Sequence, residues 1–124
     1  MIVRSNCLAV GECVYIQDTG VIKLARRACA QKKQPNLFLV KNIEDEDFWL
    51  DFEIYPRVER VEPIYAKTLE CEDVIIARIW SKHNTHGWAY IQVERIFTDA
   101  LGTNIVSSEL KSYIFSPETV VWLT

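Results

Sequence analysis

The chain has 124 residues, 49% of them hydrophobic and 25% charged, with a formal net charge of −3. A chain of this length buries roughly two thirds of its unfolded surface in one core, so a single compact domain over 1–124 is expected. The acidic balance weighs against a general polyanion binder, and no stretch reaches the roughly 18 apolar residues of a membrane span.

In chain order, GECVYI at 11–16 carries a turn glycine and then an alternating, partly β-branched run, which reads as a first strand. After the turn DTG, Val21, Ile22, Leu24, Ala25, Ala28 and Cys29 fall on one helical arc, with Asp18 or Thr19 as cap and Lys32 and Lys33 at the C-terminal end, so a helix over 21–33 is expected. The competing reading makes GVIKL the second strand of a hairpin, as in small SH3-like barrels. NLFLVKN and DFWLDFEIY then form a strand pair across the acidic IEDE, with Phe48, Leu50, Phe52 and Ile54 on the buried side. Pro56 and Pro63 bracket RVERVE and mark it as an edge strand or an extended connection. One helical turn is expected within 65–72.

The stretch 73–98 is the strongest signal: DVIIARIWSK and WAYIQVERIFT alternate on either side of HNTHG, as in a β-hairpin. Pairing Lys82 with Trp88 puts Ile79 opposite Ile91 and Ala77 opposite Val93, and assigns Ile75, Ala77, Ile79, Ala89, Ile91 and Val93 to the core. DALGTN follows as a loop, SSELKSY as a short capped helical turn, and TVVW as a last strand. The expected fold is mainly β, an antiparallel, partly open SH3-like barrel with one or two short helices. No internal repeat, linker or low-complexity segment appears.

The opposite hairpin face carries Arg78, Trp80, Lys82, Trp88 and Tyr90, and large aromatics beside arginine are what interface centres are enriched in. These five are the candidate binding residues. A covering segment would instead make the rings second-layer core, and a stacking platform for single-stranded nucleic acid is the third reading. Charge is dipolar along the chain: Lys23, Arg26, Arg27, Lys32, Lys33 and Lys41 precede the acids Glu44, Asp45, Glu46, Asp47, Asp51 and Glu53. Two solvated faces or a basic patch for an acidic partner would both follow from this.

Cys7, Cys13, Cys29 and Cys71 contain no CxxC pair and read as reduced, buried thiols of an intracellular protein. A zinc site from Cys7, Cys13, His83 and His86 lacks the usual ligand spacing, and the acidic run 44–47 lacks the alternation of a calcium loop. No nucleophile, phosphate loop or paired acid stands near the histidines, so no catalysis, cofactor or metal is expected.

The order VIIARIW, GWAYIQVERIF and SELKSYIFSPETVVWL, with GECVYI before it, resembles the bromo-adjacent homology family, whose members carry a V-x-R-I strand, a G-D-x-V-x-V opening and an E-L-F-x-S tail. Where that family has a Trp-Phe-Tyr-Arg-Pro run, this chain has Val93, Glu94, Arg95, Ile96 and Phe97. The resemblance implies an SH3-like core used for protein contacts in chromatin, in the nucleus and without catalysis. The sequence thus points to a non-catalytic protein-interaction domain whose partner is another protein. A small stand-alone inhibitor or adaptor is one alternative, and a nucleic-acid-binding domain the other.

Overall fold

The computed structural model describes residues 1–27, 37–80, 86–100, 103–107 and 111–124, with side chains for all of these except Arg27, Trp80, His86 and 103–107. Within them the protein is mainly β, and every strand pair is antiparallel. Helical structure among the described residues is limited to three short 3-10 turns. Contacts gather into two units, Met1–Val61 and Glu62–Thr124, each with a hydrophobic core of its own.

The first unit opens with β1 (Ile2–Arg4) and a 3-10 turn, Ser5–Cys7. It continues through a meander of β2 (Cys13–Ile16), β3 (Gly20–Arg27), β4 (Leu37–Asn42) and β5 (Asp47–Asp51). A second 3-10 turn, Phe52–Ile54, leads into β6 (Arg57–Tyr65), whose first half pairs with β1 on one side and β2 on the other. The expected helix over 21–33 is therefore corrected over its described part: 20–27 is a strand, and 28–33 lies outside the described residues. Val21, Ile22 and Leu24 are all buried, so apolar residues fall on both strand faces and imitate a helical arc. The turn before it is made by Gly20 at φ 93°, a conformation that starts a hairpin rather than a helix.

Two further expectations change here. The strand at the acidic loop ends at Asp51, whose carboxylate accepts the Glu53 N–H at 2.9 Å and turns the chain, leaving Phe52 buried and Ile54 exposed. RVERVE is not an edge strand, since 57–59 pair with β1 while 59–61 pair with β2. Pro63 sits in the second half of β6, where the described ladder runs only to β11, so its missing donor costs no pairing there.

The second unit repeats this plan. The end of β6 leads into a 3-10 turn, Ala66–Thr68, and a meander of β7 (Val74–Trp80), β8 (His86–Thr98), β9 (Thr103–Ser107) and β10 (Ser112–Phe115). The last strand, β11 (Val120–Leu123), pairs with both β6 and β7. The expected hairpin is present in a different register: Arg78, not Lys82, stands opposite Trp88, and Ile75, not Ile79, opposite Ile91. Because the slip is an even number of residues, each side chain keeps its face, and Ile75, Ala77, Ile91 and Val93 are buried as expected while Ile79 is only half-buried. The expected loop 99–104 ends early at Thr103; of the expected helical turn over 107–113, Ser107 belongs to β9 and Ser112 and Tyr113 to β10, while 108–110 lie outside the described residues.

The likeness of the two units extends to single hydrogen bonds. In the first, the Gly11 N–H donates to the Leu24 carbonyl at 2.7 Å and the Leu24 N–H to the Glu12 carbonyl at 2.9 Å; in the second, Glu72 donates to Val93 at 2.7 Å and Val93 to Asp73 at 2.8 Å. Glu12 takes the Ala9 N–H on its carboxylate at 3.1 Å, as Asp73 takes that of Glu70 at 2.9 Å. Gly11 and Glu72 both have positive φ, at 94° and 72°. A register shift falls between Leu24 and Arg26 in one unit and between Val93 and Arg95 in the other. The cores correspond as well: Leu8 with Leu69, Val14 with Ile75, Ile22 with Ile91, Leu24 with Val93, Phe52 with Phe115 and Val58 with Val121. The chain is a tandem pair of one supersecondary unit, although its sequence displays no repeat.

Candidate functional site

On β7, β8 and β11 the residues that alternate with the core form the second unit's other face, buried at its centre, where Ile76 is 0% exposed, and exposed toward Tyr90 and Tyr65. Cross-strand register sets Tyr90 opposite Ile76, Ile76 opposite Trp122 and Trp122 opposite Pro63. Trp88 lies opposite Arg78, and Val120 opposite Tyr65. Non-neighbouring parts of the sequence thus place four aromatic rings on one sheet face, as the period of two requires.

The rings are organised around Trp88. Its indole meets that of Trp122 edge-on, with centroids 5.4 Å apart and planes at 62°, and the Arg78 guanidinium lies over it at 5.5 Å from the ring centroid. Both arrangements match the charge distribution of an aromatic ring, whose face attracts cations and the edges of other rings. Trp122 is 9% exposed and Trp88 half-buried, while Tyr90 is 64% exposed and Tyr65 49%. Lys67 completes the margin: it lies over the Tyr65 ring at 5.4 Å and donates to Glu118 at 2.8 Å. That hydrogen bond, with the carboxylate's charge, holds the Lys67 pKa above its ordinary value.

Of the sequence candidates, Arg78, Trp88 and Tyr90 come together on this face. Lys82 lies outside the described residues, as does the Trp80 side chain, though Trp80 pairs with His86 in the ladder. Trp122 and Tyr65 were not among the candidates. VVWL is a continuous apolar run that does not mark which face Trp122 takes, and its neighbour β7 is remote in sequence.

The first unit has its own arginine–tryptophan contact, Arg26 over Trp49 at 5.5 Å. Its surroundings are charged: Lys23 stands opposite Lys41 and Lys41 opposite Asp47, to which it is bridged at 3.7 Å. The basic and acidic stretches of the sequence thus meet on neighbouring strands.

The thiols depart from expectation, since Cys7 and Cys71 are exposed; Cys13 is half-buried, and Cys29 lies outside the described residues. Burial raises the Cys13 pKa, partly offset by the charge of Lys23 on the neighbouring strand. Among the described residues no group of three His, Cys, Asp or Glu side chains is placed to hold a metal, and His83 with the His86 side chain falls outside them. No described helix is long and apolar enough to cross a membrane. No family model matches this chain, and no curated protein or solved structure is significantly similar to it.

Proposed function

We propose that the protein is a non-catalytic interaction domain whose outer face on β7, β8 and β11 docks another protein. The observation that carries this is the comparison between units. Where the second unit has Trp122 and Tyr65, the corresponding positions of the first are Glu59 and Arg4, and the first unit's hairpin turns at 17–19, before it reaches a strand position equivalent to Trp88. The shared backbone therefore does not require these rings, whereas the core positions stay apolar in both copies. Tyr90 and Tyr65 offer exposed, rigid, amphipathic area at low entropic cost, and Arg78 lies beside them over the Trp88 ring. The partner that fits is a protein presenting apolar side chains to the tyrosines. A chromatin protein, as the bromo-adjacent homology resemblance suggests, is the specific form of this proposal.

The test starts from partners recovered with the tagged full chain and measures each one's affinity for wild type, Tyr90→Ala and Trp49→Ala. A loss of about 2 kcal/mol for Tyr90→Ala, with Trp49→Ala unchanged, supports the proposal. Equal affinity of Tyr90→Ala and wild type for every recovered partner contradicts it. Nucleic-acid binding is the second reading, favoured by Arg26 over Trp49 beside Lys23 and Lys41. It predicts salt-sensitive affinity for single-stranded oligonucleotide that Trp49→Ala weakens.

A further inference from the structure

Between the 3-10 turns of the first unit lies an open surface pocket of about 500 Å³ lined by Arg4, Ser5, Asn6, Phe52, Glu53, Pro56 and Arg57, of which only Ser5 and Phe52 are buried. Arg4 and Arg57 stand directly opposite each other where β1 pairs with β6. Like charges at such a position destabilise a sheet. Among the described residues neither has an ion-pair partner, the bridges being Met1–Glu59, Lys41–Asp47, Arg60–Glu12 and Lys67–Glu118. The fold does not impose the pair, because the corresponding positions of the second unit hold Tyr65 opposite Val120, an ordinary cross-strand pair. Two arginines are thus held side by side at the edge of an open surface pocket.

We infer that this open pocket is a binding site for a small phosphomonoester. Each guanidinium is a planar fork that donates two parallel hydrogen bonds to an oxyanion. One carboxylate has two oxygens and satisfies one fork, whereas a phosphate monoester has three terminal oxygens and a charge near −2, enough for both. The rest of the wall suits the ester's other end. The Ser5 hydroxyl donates to the Phe52 and Pro56 carbonyls at 3.3 and 3.4 Å, fixing the wall between the arginines. Asn6 takes the Cys7 thiol on its Oδ1 at 3.4 Å, which leaves its amide hydrogens for the ligand. Glu53 accepts from hydroxyl groups and penalises a bare anion, so the favoured ligand carries hydroxyls as well as phosphate.

The experiment titrates the ¹⁵N-labelled full chain at fixed ionic strength with glycerol 3-phosphate, inorganic phosphate and acetate, following the amide resonances. Saturable shifts confined to 4–6 and 53–57 are expected, tightest for glycerol 3-phosphate and weakest for acetate. Arg4→Gln and Arg57→Gln, both at exposed positions, should each weaken glycerol 3-phosphate at least about tenfold while leaving the remaining resonances in place, as loss of charge-assisted hydrogen bonds requires. Non-saturating shifts, unchanged affinity in either variant, or acetate binding as tightly as glycerol 3-phosphate would overturn the assignment. This site is independent of the aromatic face and stands or falls separately from it.

Discussion

The two units share a backbone plan and a set of core positions, yet their outer faces differ in kind. Each unit sets an arginine over a tryptophan, but at non-equivalent places, Arg26 over Trp49 on β3 and β5 and Arg78 over Trp88 on β7 and β8. Around the first lie lysines and an aspartate; around the second lie Trp122, Tyr90 and Tyr65. Duplication acts as an internal control: positions that stay alike are those the fold demands, and positions that diverge have been released to other uses. By that criterion the rings of the second unit and the arginine pair of the first are features the scaffold does not need.

The comparison breaks first at the cores if it is wrong. Phe52 and Phe115 occupy corresponding positions and are both buried. Phe52→Ala and Phe115→Ala should each cost about 3–5 kcal/mol in denaturant melts. If one is costly and the other nearly neutral, the correspondence of the units fails. The left-handed turn gives an asymmetric test of the same point. Gly11→Ala should lose about 1–2 kcal/mol, because φ 94° strains any side chain although nothing lies within 4 Å of the added Cβ. Glu72→Gly at the equivalent turn should gain about 0.5–1 kcal/mol from relief of that strain.

Smaller effects separate the outer faces. Trp88→Ala loses an edge-on ring partner and should cost about 1 kcal/mol of stability, against less than about 0.5 kcal/mol for the exposed Tyr90→Ala. Trp49→Ala should resemble Tyr90→Ala in melting, since Trp49 is 44% exposed. Thiol chemistry gives the finest distinction. At pH near 8, Cys7 and Cys71 should react rapidly with a thiol reagent, whereas Cys13 lags because burial raises its pKa and lowers its thiolate fraction. The lag should shrink as pH rises further, and equal rates for all three at pH 8 would contradict the burial of Cys13.

Much of the strand order was legible because alternation is a local property. The strands 13–16 and 37–42 and the hairpin faces follow from apolar periodicity, and the last strand from the β propensity of TVVW. Register was not, since alternation fixes only the parity of pairing and Arg78 can exchange Lys82's place opposite Trp88 without turning any side chain over. Strand 20–27 was ambiguous because Val21 and Ile22 are both buried and so break the alternation. The duplication was hidden because it resides in backbone hydrogen bonds that Gly11 and Glu72 make equally well, and in core volumes that Leu24 and Val93 share only approximately. Of the candidate site, sequence reached Arg78, Trp88 and Tyr90, which neighbouring strands bring together. Trp122 and Tyr65 arrive from β11 and β6, and the Arg4 and Arg57 pair from opposite ends of the first unit, where only the β1–β6 ladder reveals that they stand opposite each other.

The central claim is that the duplicated scaffold carries its docking surface on the second unit alone. Hydrogen–deuterium exchange of the full chain, with and without its recovered partner, tests this most directly. Binding should slow exchange in β7, β8 and β11 and leave β3, β4 and β5 unchanged. Protection centred on β3 to β5, with β7, β8 and β11 unaffected, would contradict it.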